Sequence, residues 1–184
     1  MSKLIIGLVG PLASGKGVVK KYLEDKYGAI SYKFSNILRD ILNRLYLPTS
    51  RENLQNLSTN LRATFGNDIL AKVIANDAKK ESRNLVVIDG VRRLADISSL
   101  INDPNFILVA IEADLKIRYE RMILRNENPG DTAKTLMDFS KDCEQEADKF
   151  IPETMAKANY HLDNNQDFAH LYKQIDSLLT KIIK

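Results

Sequence analysis

A chain of 184 residues, 44% of them hydrophobic, is long enough to bury one substantial core and is neither a repeat array nor a fibre. A net charge of +3 spread over dispersed lysines and arginines suits small anions and argues against a nucleic-acid coat, while one cysteine and two histidines exclude a disulfide framework and lack the spacing of a structural zinc site. The first apolar run stops at Gly10-Pro11, too short for a signal-peptide core or a membrane span, so the expectation is a soluble, reduced, cytoplasmic protein without a membrane partner.

The first strand, Lys3 to Val9, is nearly continuous in apolar residues, as in a parallel sheet buried on both faces. Gly10-Pro11-Leu12-Ala13-Ser14-Gly15-Lys16-Gly17 follows, then a helical pattern from Val18 to Tyr27 that ends before Gly28. Strand, glycine-bounded loop and helix in that order let backbone N–H groups surround a polyphosphate at a helix N-terminus, with the lysine reaching its outer oxygens. The spacing G-x-x-x-x-G-K is met, and the stretch reads as a P-loop, the bland alternative being a tight turn with a surface lysine. Candidate nucleotide-binding residues are Gly10, Leu12, Ala13, Ser14, Gly15, Lys16, Gly17 and Val18. Gly17 replaces the hydroxyl residue that usually helps hold Mg²⁺, so the metal would need water, the substrate phosphates and a carboxylate elsewhere.

Ala29 to Phe34 reads as a weak second strand, interrupted by Ser31 and Lys33. Ser35 or Asn36 is expected to cap a helix carrying Ile37, Leu38, Ile41, Leu42 and Leu45, which stops before Pro48. Thr49-Ser50 opens a helix that contains Arg62 and closes at Phe65-Gly66, and Asn67 to Lys80 forms another. Leu85 to Ile88 lead to Asp89 in a buried strand whose last side chain points at the carboxyl edge of the sheet, where ligands of open α/β folds collect. Leu94 to Leu100 is a short helix and Phe106 to Ile111 a fourth strand. Asp114 starts the helix Leu115 to Arg125, which sets Arg118, Arg121 and Arg125 on one face, either a solvated stripe or a set of cations that needs an anion among them. Thr132 to Phe150 reads as one helical run, with Cys143 a structural or incidental thiol. Ala158 to Leu162 is a fifth strand, with His161 a satisfied strand histidine that has no visible base-orienting partner. Asp163-Asn164-Asn165 is the turn into a last helix, Phe168 to Ile183.

Several of these motifs carry a resemblance. The G-K-G ending is similar to nucleoside monophosphate kinases, adenylate kinases included, although Val18 stands where those enzymes usually have Thr. The segment Ser35-Asn36-Ile37-Leu38-Arg39 resembles their acceptor-binding segment, which implies acceptor contacts from Ser35 and a phosphate contact from Arg39, against the plain alternative of a solvated helix arginine. R-E-x-L-Q-x-L from Arg51, with Arg62 before a glycine, resembles the acceptor region of phage-type deoxynucleoside monophosphate kinases and related archaeal and bacterial kinases. It implies Arg51 and Arg62 as further contacts, though a surface helix pair explains the same pattern. D-G-V-R-R resembles the D-G-x-x-R motif, implying Asp89 near Mg²⁺ and Arg93 on the acceptor phosphate, with Arg92 where that motif often has proline. R-x-x-x-R followed by Asn126 to Asp131 resembles the start of a small kinase lid without zinc-binding cysteines, implying Arg121 against adenine and Arg125 on the transferring phosphate, with Arg118 left as a salt-bridge partner and movement at Asn128-Pro129-Gly130. A-N-Y-H-L-D-N-N resembles the adenine-bordering turn of dephospho-CoA and deoxynucleotide kinases, so Asn164 and Asn165 are either adenine-loop residues or turn formers.

The resemblance implies a three-layer α/β/α P-loop NTPase fold with a five-stranded parallel sheet and helices on both faces. It implies a single domain over residues 1–184, with an acceptor-binding insertion at about 35–80 and a lid at about 125–135. The implied activity is phosphoryl transfer from ATP, with Mg²⁺, to a nucleoside or deoxynucleoside monophosphate, with Lys16, Asp89, Arg121 and Arg125 catalytic and small nucleotides the only partners of a monomer or homodimer. A dephospho-CoA kinase with a hydroxyl acceptor competes with it. A nucleotide switch or ATPase is the next reading, disfavoured by the lack of an N-K-x-D motif, and a non-catalytic nucleotide-binding protein is the last.

Overall fold

Successive residues of the first strand, β1 (Leu4–Val9), enter two different cores, because side chains alternate across a strand and both faces of this one are covered. The computed structural model describes residues 3–126, 131–144 and 149–182. Leu4, Ile6 and Leu8 pack with Val19 and Leu23 of α1 (Lys16–Tyr27) and with Leu171, Ile175 and Leu179 of α8 (Phe168–Ile182). Ile5 and Val9 face the opposite way, onto Ile74, Ala75 and Ala78 of α4 (Ile69–Lys80) and Ile151 of α7 (Ile151–Met155).

The sheet that separates these cores is parallel throughout, in the order β2 (Ile30–Lys33), β3 (Leu85–Val91), β1, β4 (Phe106–Glu112), β5 (Tyr160–Asp163). β1 sits between β3 and β4, so the loop after it emerges at the middle of the carboxyl edge. This is the expected α/β fold, and β2 is the short strand foreseen. Strand β5 is shifted toward the turn, running to Asp163, whose N–H donates to Gln174 Oε1 at 3.0 Å while Gln174 Nε2 returns a bond to Asp163 O at 2.7 Å.

Three elements differ from expectation. Helix α2 (Phe34–Arg44) follows β2 without a break, with Lys33 as its N-cap residue and no side-chain cap, so Ser35 and Asn36 lie inside its first turn and serve Arg39 instead. The segment after residue 93 forms a short 3₁₀ turn (Leu94–Ile97) rather than a helix to Leu100. Thr132 to Phe150 is not one helix. Its described parts are a 3₁₀ turn (Asp131–Ala133) and α6 (Leu136–Cys143), which starts at a capping box in which Thr135 and Asp138 bond reciprocally. The remaining helix, α3 (Arg51–Phe65), is capped by Ser50 Oγ accepting from Asn53 N–H at 3.2 Å and buries none of its residues, whereas α4 fills the core.

Candidate functional site

The loop after β1 is held from within and from the far end of the chain. Ser14 N–H donates to Pro11 O, and the N–H groups of Val18 and Val19 both reach Gly15 O. The Lys16 ammonium donates to Gly10 O at 2.6 Å and Pro11 O at 2.9 Å, and helix α1 starts at this lysine, two residues before the expected position. Gly15 has φ +105°, in the left-handed region, and a Cβ there would stand 2.0 Å from Asn164 Nδ2. Asn164 is buried in the turn after β5 and donates from Nδ2 to Ser14 O at 2.7 Å. Its neighbour Asn165 accepts from Asp114 N–H at 2.7 Å and so anchors the entry to α5 (Leu115–Arg125). Both asparagines are therefore structural ties in the site.

Two buried polar atoms at this loop have no hydrogen-bond partner among the described residues: the Ser14 hydroxyl and Arg121 NH1. Arg121 NH2 lies 3.4 Å from Asn164 Oδ1, and burial pushes the pKa of its guanidinium down. A buried donor without a partner costs roughly 1–3 kcal/mol, and a bound anion is the group that removes that cost. The Arg121 orphan, the glycine-bounded cradle and the α1 N-terminus together fit a polyphosphate.

Asp89 lies in β3 one residue before Gly90, whose φ of +91° accompanies a bulge: Leu8 pairs with Asp89, but Val9 pairs with Val91. The strand thus continues past Asp89 instead of ending in an Asp-Gly turn. The carboxylate forms an ion pair with Lys33, the last residue of β2 and its register partner, at 3.2 Å. Sequence reading took Lys33 only as an interruption of the strand. The signal was a charged residue at a strand's carboxyl end beside a strand ending in Asp. Among the described residues no group of three or more His, Cys, Asp or Glu side chains is placed to hold a metal. The residues present fit an ion brought in on nucleotide phosphates, with Asp89 as the protein's carboxylate.

A second cluster lies after β3. Asp96, buried, accepts from the N–H groups of Arg92 and Arg93 at 3.1 Å each, and its other oxygen stands 3.6 Å from both Arg62 NH2 and Arg93 NH2. The Arg92 N–H is in use here, a bond that proline at that position cannot make. Arg62 also donates to Asn67 O at 2.6 Å, and burial and then the nearby Arg93 push its pKa down, only partly offset by Asp96. The structure therefore brings Arg62 and Arg93 together. It leaves Arg39 bonded to Ser35 Oγ within its own helix and Arg51 exposed at the start of α3.

The expected three-arginine face divides. Arg118 is buried: its Nε donates to Ala113 O at 3.0 Å, NH1 reaches Leu12 O at 3.2 Å and Cys143 Sγ at 3.3 Å, and the guanidinium lies over Phe139 of α6. Sequence reading left Arg118 as a salt-bridge partner. It is instead a strut between the loop, the start of α5 and α6, and Cys143 is one of its supports. Arg118→Met is expected to lower stability by about 3 kcal/mol, since two carbonyls lose a charged donor, read as an earlier midpoint in urea unfolding. Arg125 is exposed at the end of α5. The expected movement at Asn128-Pro129-Gly130 lies outside the described residues. His161 does have a partner, Glu112 Oε1 at 2.6 Å from Nδ1, on the exposed edge of β4 and β5.

The parallel 2-3-1-4-5 sheet with a glycine-bounded loop after its central strand defines a P-loop nucleotide-binding domain of kinase-like fold. The chain belongs to the AAA domain family (AAA_17), whose model matches residues 9–140. It is 28% identical over 184 residues, all of this chain and 95% of the relative, to a UPF0200 protein of Staphylothermus marinus. Among solved structures it is similar to a shikimate kinase from Bacteroides thetaiotaomicron, with TM-score 0.60 and 16% identity over 98% of this chain and 99% of that one. It is also similar to a gluconokinase from Sinorhizobium meliloti, with TM-score 0.57 and 12% identity over 98% and 93%. At these identities the two structures speak for the fold alone. No helix among the described residues is long and apolar enough to cross a membrane.

Proposed function

We propose that this protein is an ATP-dependent phosphotransferase whose acceptor carries an anionic group, in the first instance the phosphate of a nucleoside or deoxynucleoside monophosphate. The observation that carries the acceptor half is the pairing of Arg62 and Arg93 on the single buried carboxylate of Asp96. Two guanidinium groups on one carboxylate leave a net positive spot, and the Arg62 pKa is pushed down by burial first and then by the neighbouring Arg93. A phosphate set there meets that positive charge.

In this reading the loop amides and Lys16 hold the ATP phosphates, Arg121 lies against the nucleotide, and Arg125 meets the transferring group. Ser35, Arg39 and Arg51 add contacts from the insertion at about 35–80. Asp89 is the side chain that would hold Mg²⁺ brought in with the nucleotide, which would supply positive charge at the phosphate oxygens. A phosphate acceptor needs no general base, because its attacking oxygen is anionic near neutral pH, and a preorganised set of cations is what phosphoryl transfer requires.

The test is incubation with labelled ATP and Mg²⁺ against ribo- and deoxynucleoside monophosphates, dephospho-CoA, shikimate and gluconate. Label on a monophosphate is the expected result. Label only on a hydroxyl acceptor overturns the phosphate assignment, and free phosphate alone points to an ATPase or switch. A Cβ at Gly17 would meet no atom within 4 Å, so Gly17→Ser restores the missing hydroxyl without a clash. It is expected to lower the Mg²⁺ concentration for half-maximal turnover several-fold, which a magnesium titration reads.

A further inference from the structure

Lys33 occupies a place that local chemistry disfavours. It is the N-cap residue of α2, where Ser, Thr, Asp or Asn normally satisfies a free N–H, and no side-chain cap is made there. It also sets a positive charge at the positive end of the helix dipole. Such concessions gather where a residue has another task. Among the described residues it forms an ion pair with Asp89, 3.2 Å away, whose side chain is 13% exposed while that of Lys33 is 43% exposed. An ion pair this open contributes little to stability, too little to offset a missing cap and an adverse dipole.

The same sheet edge lacks the hydroxyl that would follow Lys16, since Gly17 stands there with open space beside its Cα. The site therefore has one ligand fewer for a divalent ion and one cation more beside the carboxylate that faces it. From this juxtaposition we infer that Lys33 is a resident cation of the phosphate site. It shares Asp89 with the divalent ion and supplies positive charge next to the nucleotide phosphates, so that ATP binding depends less on Mg²⁺ than it would in a site with a hydroxyl after the loop lysine and an unshared carboxylate. The inference rests on the nucleotide site of the reading above, but not on which acceptor is used.

The readout is the ratio of ATP affinities with and without Mg²⁺, measured by calorimetry on the full chain. In Lys33→Met the metal-free affinity falls and Asp89 is released to the ion, so the ratio is expected to grow at least about tenfold, the scale of one charge-assisted contact. Lys33→Arg keeps the charge and is expected to return the ratio close to that of the unaltered protein. Circular dichroism of both variants establishes that they fold, and Lys33→Gln serves if the methionine variant does not. An unchanged ratio in the neutral variants, with ATP still bound, overturns the role of Lys33 and leaves the nucleotide site standing. Failure of the unaltered protein to bind ATP under either condition overturns both.

Discussion

Replacing Lys16 with alanine is expected to lower turnover by about three orders of magnitude, ~4 kcal/mol, with little change in the fold. The ammonium is half-buried and held by the carbonyls of Gly10 and Pro11, the two residues that open the loop. In the proposed reading that places it near the N–H groups at the start of α1, where the outer phosphate oxygens of a nucleotide would lie. A neutral methyl group leaves the loop backbone in place but removes the one formal charge the loop itself supplies. Steady-state kinetics with ATP and the accepted substrate, alongside circular dichroism, checks this. Near-normal turnover in a folded Lys16→Ala protein removes the residue from the mechanism.

Gly15→Ala is expected to act on stability and binding together. At φ +105° any side chain is strained by about 1–2 kcal/mol, and here the added methyl also collides with the Asn164 amide. Asn164 cannot yield without giving up its bond to Ser14 O and its place beside Arg121. The total is expected to reach about 3–5 kcal/mol, with loss of measurable nucleotide binding, since the carbonyl of Ser14 and the guanidinium of Arg121 lose their common support. Thermal unfolding and ATP calorimetry check the two halves. A variant that melts normally and binds ATP would show that the loop has a second workable conformation. By contrast Asn164→Ala removes the amide donor without adding a charge or a clash and should give a smaller loss of the same kind.

Much of the architecture was legible because the parallel sheet leaves a strong signature. β1, β3 and β4 are buried on both faces and read as continuous apolar runs bounded by glycine, asparagine or proline. The loop, α1, α5 and the turn at Asn164 were legible for the same kind of reason, since their spacing is set by backbone geometry close in sequence. The misreadings share another cause. Arg118 lies at helical spacing with Arg121 and Arg125, but burial by Phe139 and the loop carbonyl of Leu12 depends on segments more than twenty residues away in either direction. Lys33 and Asp96 were missed because their partners come from a neighbouring strand and from α3. The helix expected from Thr132 to Phe150 failed because acids and lysines at helical spacing permit a long helix without requiring one. The capping box at Thr135 then imposes its own start.

The tie between Asn164 and Ser14 has a consequence for the order in which the protein becomes functional. The family match ends at residue 140, so a polypeptide containing all of it carries the complete loop motif and yet lacks the amide that holds that loop's backbone. During synthesis the phosphate cradle is finished only when β5 has joined the sheet beside β4 and delivered its turn, long after the first strand has left the ribosome. Tight nucleotide binding thus reports that the last strand is in place, and a nascent or clipped chain short of that point would not be expected to compete for ATP.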